Sequence, residues 1–163
     1  MTIRKLVATT ALILSASPAF AKTETVDFDI VATVPATDFI VVKNLTWSDK
    51  PAEMLYNVGT KSLQPNTSHG LNVQSTIGDI TAYLVTAPTL GQVGGAANIP
   101  LRIEVGGVAL PVGAASPATI LEKEDAATLK PLSVGIFQAD TTKTLVAGEY
   151  RGNVVMMFET SAE

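Results

Sequence analysis

Cysteine is absent from the 163-residue chain, so disulfides, thiolate nucleophiles and cysteine-ligated zinc or iron–sulfur centres are all excluded. A single histidine, His69, gives no basis for a histidine-rich metal site. Charge is scarce as well: eleven Lys+Arg against fifteen Asp+Glu leave a net charge of −4. No nucleic-acid partner is expected, because neutralising phosphates requires a basic surface. Aromatic residues are few, and Trp47, Tyr56, Tyr83 and Tyr150 are scattered in the manner of core or sheet-face residues, without clustering into a carbohydrate platform. No apolar run reaches the roughly 20 residues needed to cross a bilayer, so no membrane insertion is expected. Phosphate-loop, dinucleotide, nucleophile-elbow and HExxH motifs are all missing, and no enzyme is expected.

What is present begins with a segment built to be removed. Arg4 and Lys5 precede an apolar stretch from Leu6 to Leu14, and Ser17-Pro18-Ala19-Phe20-Ala21 ends in the small-x-small pattern of a signal-peptidase site. Residues 1–21 are expected to be a signal peptide cleaved after Ala21. The mature chain, Lys22 to Glu163, keeps nine of the eleven basic residues against fifteen acidic ones, a net charge of −6. Export without any disulfide means that stability has to come from the core alone or from another molecule.

The periodicity of the mature chain is mostly two, with β-branched runs separated by Gly, Pro, Asn and Asp. This pattern predicts a single all-β sandwich domain. Residues 26–34 alternate, with Val26, Phe28, Ile30, Ala32 and Val34 on one face, and Pro35 ends the run. Phe39-Ile40-Val41-Val42, apolar on both faces, reads as a buried strand. Leu71–Ile77 and Ile80–Thr86 read as a hairpin turned at Gly78-Asp79, and Ile99–Val105 with Val108–Leu110 as another turned at Gly106-Gly107. Pro100 marks an edge strand. Glu122–Ala127 reads as a charged loop in preference to a helical turn. Leu132–Ala139 is a further strand, and Tyr150–Glu159 the last, with Tyr150, Val154, Met156 and Phe158 sharing a face. Seven to nine short strands is the number expected of an immunoglobulin-like sandwich.

Candidates for chemistry have plainer readings. His69, within Asn66-Thr67-Ser68-His69-Gly70, reads as a solvated loop histidine. Asp27 and Asp29 project from one face of a strand, but a hard cation needs further oxygen ligands that no local loop supplies. No metal or cofactor is expected. Asn44-Leu45-Thr46 and Asn66-Thr67-Ser68 fit the glycosylation sequon, a pattern too short to carry weight. The residues alone leave open whether the 26–34 strand pairs within its own domain or with another molecule.

That alternating strand directly after the signal peptide, together with Gly148-Glu149-Tyr150-Arg151-Gly152-Asn153-Val154-Val155-Met156-Met157-Phe158, resembles the major pilin subunits of alternate chaperone-usher fimbriae. These are the alpha-fimbriae, of colonisation-factor-antigen and coli-surface-antigen type. Leu90, Ile99-Pro100-Leu101-Arg102-Ile103-Glu104-Val105-Gly106-Gly107 and Leu110 are similar to the family's middle strands. The chain departs from the family at Val34-Pro35-Ala36-Thr37-Asp38, where members carry a Val-Asp-Pro turn.

The resemblance implies an incomplete immunoglobulin-like sandwich, residues 35–163, completed by a donor strand, residues 22–34, from the next subunit. Val26, Phe28, Ile30, Ala32 and Val34 would be the donor residues, and Tyr150, Val154, Met156 and Phe158 the acceptor edge. The implied partners are other copies in a homopolymer, a periplasmic chaperone, an outer-membrane usher and a tip adhesin. The implied product is a cell-surface fimbria for adhesion. A monomeric periplasmic or secreted β-sandwich binding module is the alternative.

Overall fold

The computed structural model describes residues 38–160, and the chain divides into Met1–Val34 and Pro35–Glu163. The expected signal segment and the 26–34 strand, with Asp27 and Asp29, lie outside the described residues.

Twelve strands and one helical turn follow in order: β1 (Phe39–Lys43), β2 (Tyr56–Asn57), β3 (Ser62–Leu63), β4 (Asn66–Ser75), β5 (Ile80–Leu84), β6 (Thr89–Gln92), β7 (Asn98–Val105), β8 (Val108–Ala109), β9 (Ala118–Leu121), α1 (Lys123–Ala126), β10 (Lys130–Gln138), β11 (Tyr150–Arg151) and β12 (Met156–Thr160). A larger sheet runs β1-β4-β10-β7-β6-β11, with β8 beside β7, and a smaller one runs β12-β5-β9. β2 and β3 form a separate small hairpin. Among the described residues no helix is long and apolar enough to cross a membrane.

The core lies between the two sheets, and period two places it there. Leu71 and Val73 of β4 and Leu101, Ile103 and Val105 of β7 meet Ile80, Ala82 and Leu84 of β5. Such an alternating face must be buried against a second layer, which gives an open β-sandwich. The Gly106-Gly107 turn forms as expected: Glu104 pairs with Ala109 and Val105 with Val108, and the glycines take φ of 60° and 83°. Both central residues of this turn type need positive φ, which glycine adopts without strain.

Five expectations are corrected. First, β4 and β5 do not pair with each other. Thr76-Ile77-Gly78-Asp79 instead carries the chain from the larger sheet to the smaller, with Ser75 Oγ accepting the Gly78 N–H at 3.2 Å. Second, β1 is the edge of the larger sheet, not a buried strand, and Val42 is 48% exposed. Third, Pro100 lies on an internal strand. Its carbonyl accepts from Ala139 N–H just past the end of β10 at Gln138, so the one bond its nitrogen cannot donate falls at the end of the β7–β10 ladder and not in its middle.

Fourth, residues 123–126 form one helical turn and not a loop. Asp79 Oδ1, from the β4–β5 corner, accepts the Lys123 N–H at 2.7 Å, and Ala126 is fully buried. Fifth, His69 belongs to β4 and is buried, with its ring edge-on to Trp47 at 5.0 Å. It is a packed residue on the same side of the strand as Leu71 and Val73, not a solvated loop histidine. The two sequon asparagines likewise close local turns, Asn44 Oδ1 accepting from Thr46 N–H and Asn66 Oδ1 from Ser68 N–H.

Candidate functional site

The last expected strand, Tyr150–Glu159, is two strands in two sheets. β11 pairs with β6 in the larger sheet, Tyr150 opposite Gln92, whereas β12 pairs with β5 in the smaller, Met156 opposite Leu84 and Thr160 opposite Ile80. The chain crosses at Gly152, where a Cβ would collide with the Thr89 carbonyl oxygen and the Leu90 side chain. Only glycine permits this approach. Gly152→Ala is expected to destabilise the domain by roughly 1 to 3 kcal/mol, the usual range for overpacking, read as a lowered thermal unfolding midpoint.

Tyr150 therefore does not share a strand with Met156 and Phe158. Its hydroxyl donates to the Val146 carbonyl at 2.8 Å, which fastens the preceding loop. Val154, Met156 and Phe158 do come together, all partly buried against the core.

β12 is the edge of its sheet. It is hydrogen-bonded to β5 on one side, and among the described residues nothing pairs with the other side. β1, which sequence reasoning did not single out, is the corresponding edge of the larger sheet and, among the described residues, pairs only with β4. Because β4 and β5 are consecutive strands in facing sheets, the two open edges flank the same side of the core.

They converge at one end on Ser75, which is fully buried. Phe39 of β1 pairs with Ser75 across the ladder, and Ser75 Oγ lies 2.7 Å from Thr160 Oγ1 of β12. Further along, Phe39 and Val41 from one edge and Met156 and Phe158 from the other reach the core without being fully covered. Among the described residues the arrangement is a pair of unpaired backbone edges with a strip of half-covered apolar side chains, the form that receives an added strand.

The outward face of the smaller sheet adds one electrostatic contact. Tyr83 Oη donates to Glu159 Oε1 at 3.3 Å, and desolvation, followed by the carboxylate's charge, holds the phenol above its ordinary value. This β5–β12 tie keeps its proton at all physiological pH and would weaken only in strong alkali. Away from the edges, the hydroxyl and N–H of Thr142 hold the Asp140 carboxyl below its ordinary value, with a smaller contribution from Lys143. A folded pKa that is lowered keeps this turn supported at neutral pH and releases it only as the pH falls through that value. An NMR titration of Asp140 in the native protein should show its midpoint below that of a model aspartate.

Comparison with known proteins agrees with this geometry. The sequence profile of the family described as CS1 type fimbrial major subunit matches residues 24–159. Among curated protein sequences no match is found. The fold is similar to the solved structure of the CooA pilin subunit from enterotoxigenic Escherichia coli, with 18% identity, coverage of 76% of this chain and 88% of that one, and a TM-score of 0.57. The expectation of an incomplete immunoglobulin-like pilin fold is met, and the chain belongs to the CS1 type fimbrial major subunit family, as a structural subunit of a cell-surface fimbria.

Proposed function

We propose that subunits join by donor-strand exchange: residues 22–34 of one copy fill the strip between β1 and β12 of another, with Val26, Phe28, Ile30, Ala32 and Val34 pointing inward. The observation that carries this reading is the β12 edge, which among the described residues is unpaired on one side while Met156 and Phe158 beside it remain half covered. Main-chain hydrogen bonds to the edge would supply affinity, and alternate side chains would fill the strip. Val154, Met156 and Phe158 serve as acceptor residues, joined by Phe39 and Val41. Tyr150 acts on the neighbouring sheet.

The same edge accounts for the remaining partners. An unpaired strand beside exposed apolar surface aggregates unless it is covered. A periplasmic chaperone covers it first, an outer-membrane usher exchanges chaperone for subunit, and a tip adhesin ends the fibre. The family match starts at residue 24, just beyond the proposed cleavage after Ala21, in keeping with a mature chain beginning at Lys22. The subunit has no catalytic role in this reading. A synthetic peptide of residues 22–34, added in excess to subunit released from its chaperone, should cap the subunit as a soluble one-to-one complex. Polymerisation that proceeds unaffected by the peptide would refute the proposal.

A further inference from the structure

The outward face of the smaller sheet is divided along its length. Toward the β4–β5 corner it carries Thr81 and Glu159. At the opposite end it carries Val85, Val155 and Met157, which are 47%, 43% and 43% exposed; Val112, 56% exposed, borders them by bridging Leu84 at the end of β5. These side chains sit on adjoining backbone. Val85 N–H donates to the Val155 carbonyl at 3.0 Å, and Leu84 exchanges hydrogen bonds with Pro111 and Gly113 on either side of Val112. Three neighbouring segments thus form an apolar pole where β5 ends and β12 begins.

We infer that this valine pole is a second contact between successive copies, covered by the body of the subunit whose strand occupies the groove. The inference rests on the donor-strand reading and follows from direction and reach. β12 runs from Met156, opposite Leu84, to Thr160, beside Ser75. Antiparallel pairing is the more stable kind, and a strand added to β12 in that sense runs the other way, so Val34 leaves the groove beside Val155. From Val34 to Asp38 the chain can span at most about 14 Å. The incoming body is therefore held against the valine pole.

The end it presents is also defined. Asp38 lies at the β4–β5 corner, its carbonyl accepting the Thr76 N–H at 2.9 Å. The large apolar side chain exposed near that corner is Leu129, at 51%, immediately before β10 pairs Lys130 with Val73. A head-to-tail contact between two different ends of one molecule does not close on itself and propagates as a filament.

Because the chain has no cysteine, a single introduced thiol reports on one position. Val85→Cys and Val112→Cys probe the pole, and Ala109→Cys, on exposed β8 midway along the larger sheet, is the reference. Each alkylation rate is measured in intact fibres and referred to the same thiol after denaturation. The pole thiols should react at least ~10-fold more slowly than the reference, since thiol reactivity follows exposure. Equal rates at all three positions, in fibres that stay intact in cold detergent, would overturn the inference and leave donor-strand exchange standing. Fibres that dissolve in cold detergent would overturn donor-strand exchange and this inference with it. Should Val85→Cys fail to assemble, Val112→Cys, outside both strands, gives the same comparison.

Discussion

A subunit lacking residues 22–34 behind its signal peptide is expected to be exported, to be held by its chaperone and to form no fibre. Four large apolar side chains, Val26, Phe28, Ile30 and Val34, each gain roughly 1.5 to 3 kcal/mol on burial, on the order of 6 to 12 kcal/mol together before ordering costs. Without them the subunit cannot enter its neighbour's groove, but its own groove is intact. Mixed with full-length subunits it should be recessive, because it can occupy only the first position of a fibre. Electron microscopy of cells expressing the deletion alone, and then together with the full-length chain, checks both parts. Normal fibres from the deletion alone would exclude donor-strand exchange. Within the donor, Phe28→Asp or Ile30→Asp should lower the resistance of fibres to heat and detergent, since each places an unpaired carboxylate in an apolar strip.

Alternation made most of the core legible. Leu71, Val73 and Ser75, Ile80, Ala82 and Leu84, and Ile99, Leu101, Ile103 and Val105 are all buried at the spacing of two that their sequence shows. The Gly106-Gly107 turn was legible for an equally local reason, its two positive φ angles. What local reasoning could not decide was the sheet each strand joins. A Gly-Asp turn serves a hairpin or a crossing equally well, and here the choice is fixed by Ser75 meeting Thr160, 85 positions away, and by Asp79 receiving the Lys123 N–H, 44 positions away.

The candidate site was legible to the same degree. Met156 and Phe158 follow from alternation, whereas Tyr150 shares their spacing only because the pattern continues through the sheet switch. Gly152 inside that pattern was the available signal, since an isolated glycine in a strand often marks a close backbone approach. β1 was missed for a different reason. A run that is apolar on both faces fits a strand buried in its own domain and equally an edge strand that another strand will cover. What separates the two is that, among the described residues, β1 pairs with β4 and with no other strand.

Phe158→Asp should do the opposite of the donor deletion and act dominantly. Phe158 lies on β12, half covered, and its cross-strand partner Ala82 on β5 is fully buried. The substitution removes apolar contact and sets a carboxylate where an incoming strand would bury it, and an unpaired buried charge is strongly disfavoured. The altered subunit keeps residues 22–34, so it can still enter the groove of the subunit before it, but it cannot accept the one after. Growth then stops. Present at roughly one subunit in ten, it should limit fibres to about ten subunits, the length set by random termination of a head-to-tail chain. Phe158→Ala, which shortens the side chain without adding charge, should give longer fibres that dissociate at lower temperature, and so separates loss of acceptance from loss of folding. Fibre length distributions from mixed expression give the readout. Full-length fibres containing Phe158→Asp throughout would show that β12 is not the accepting edge.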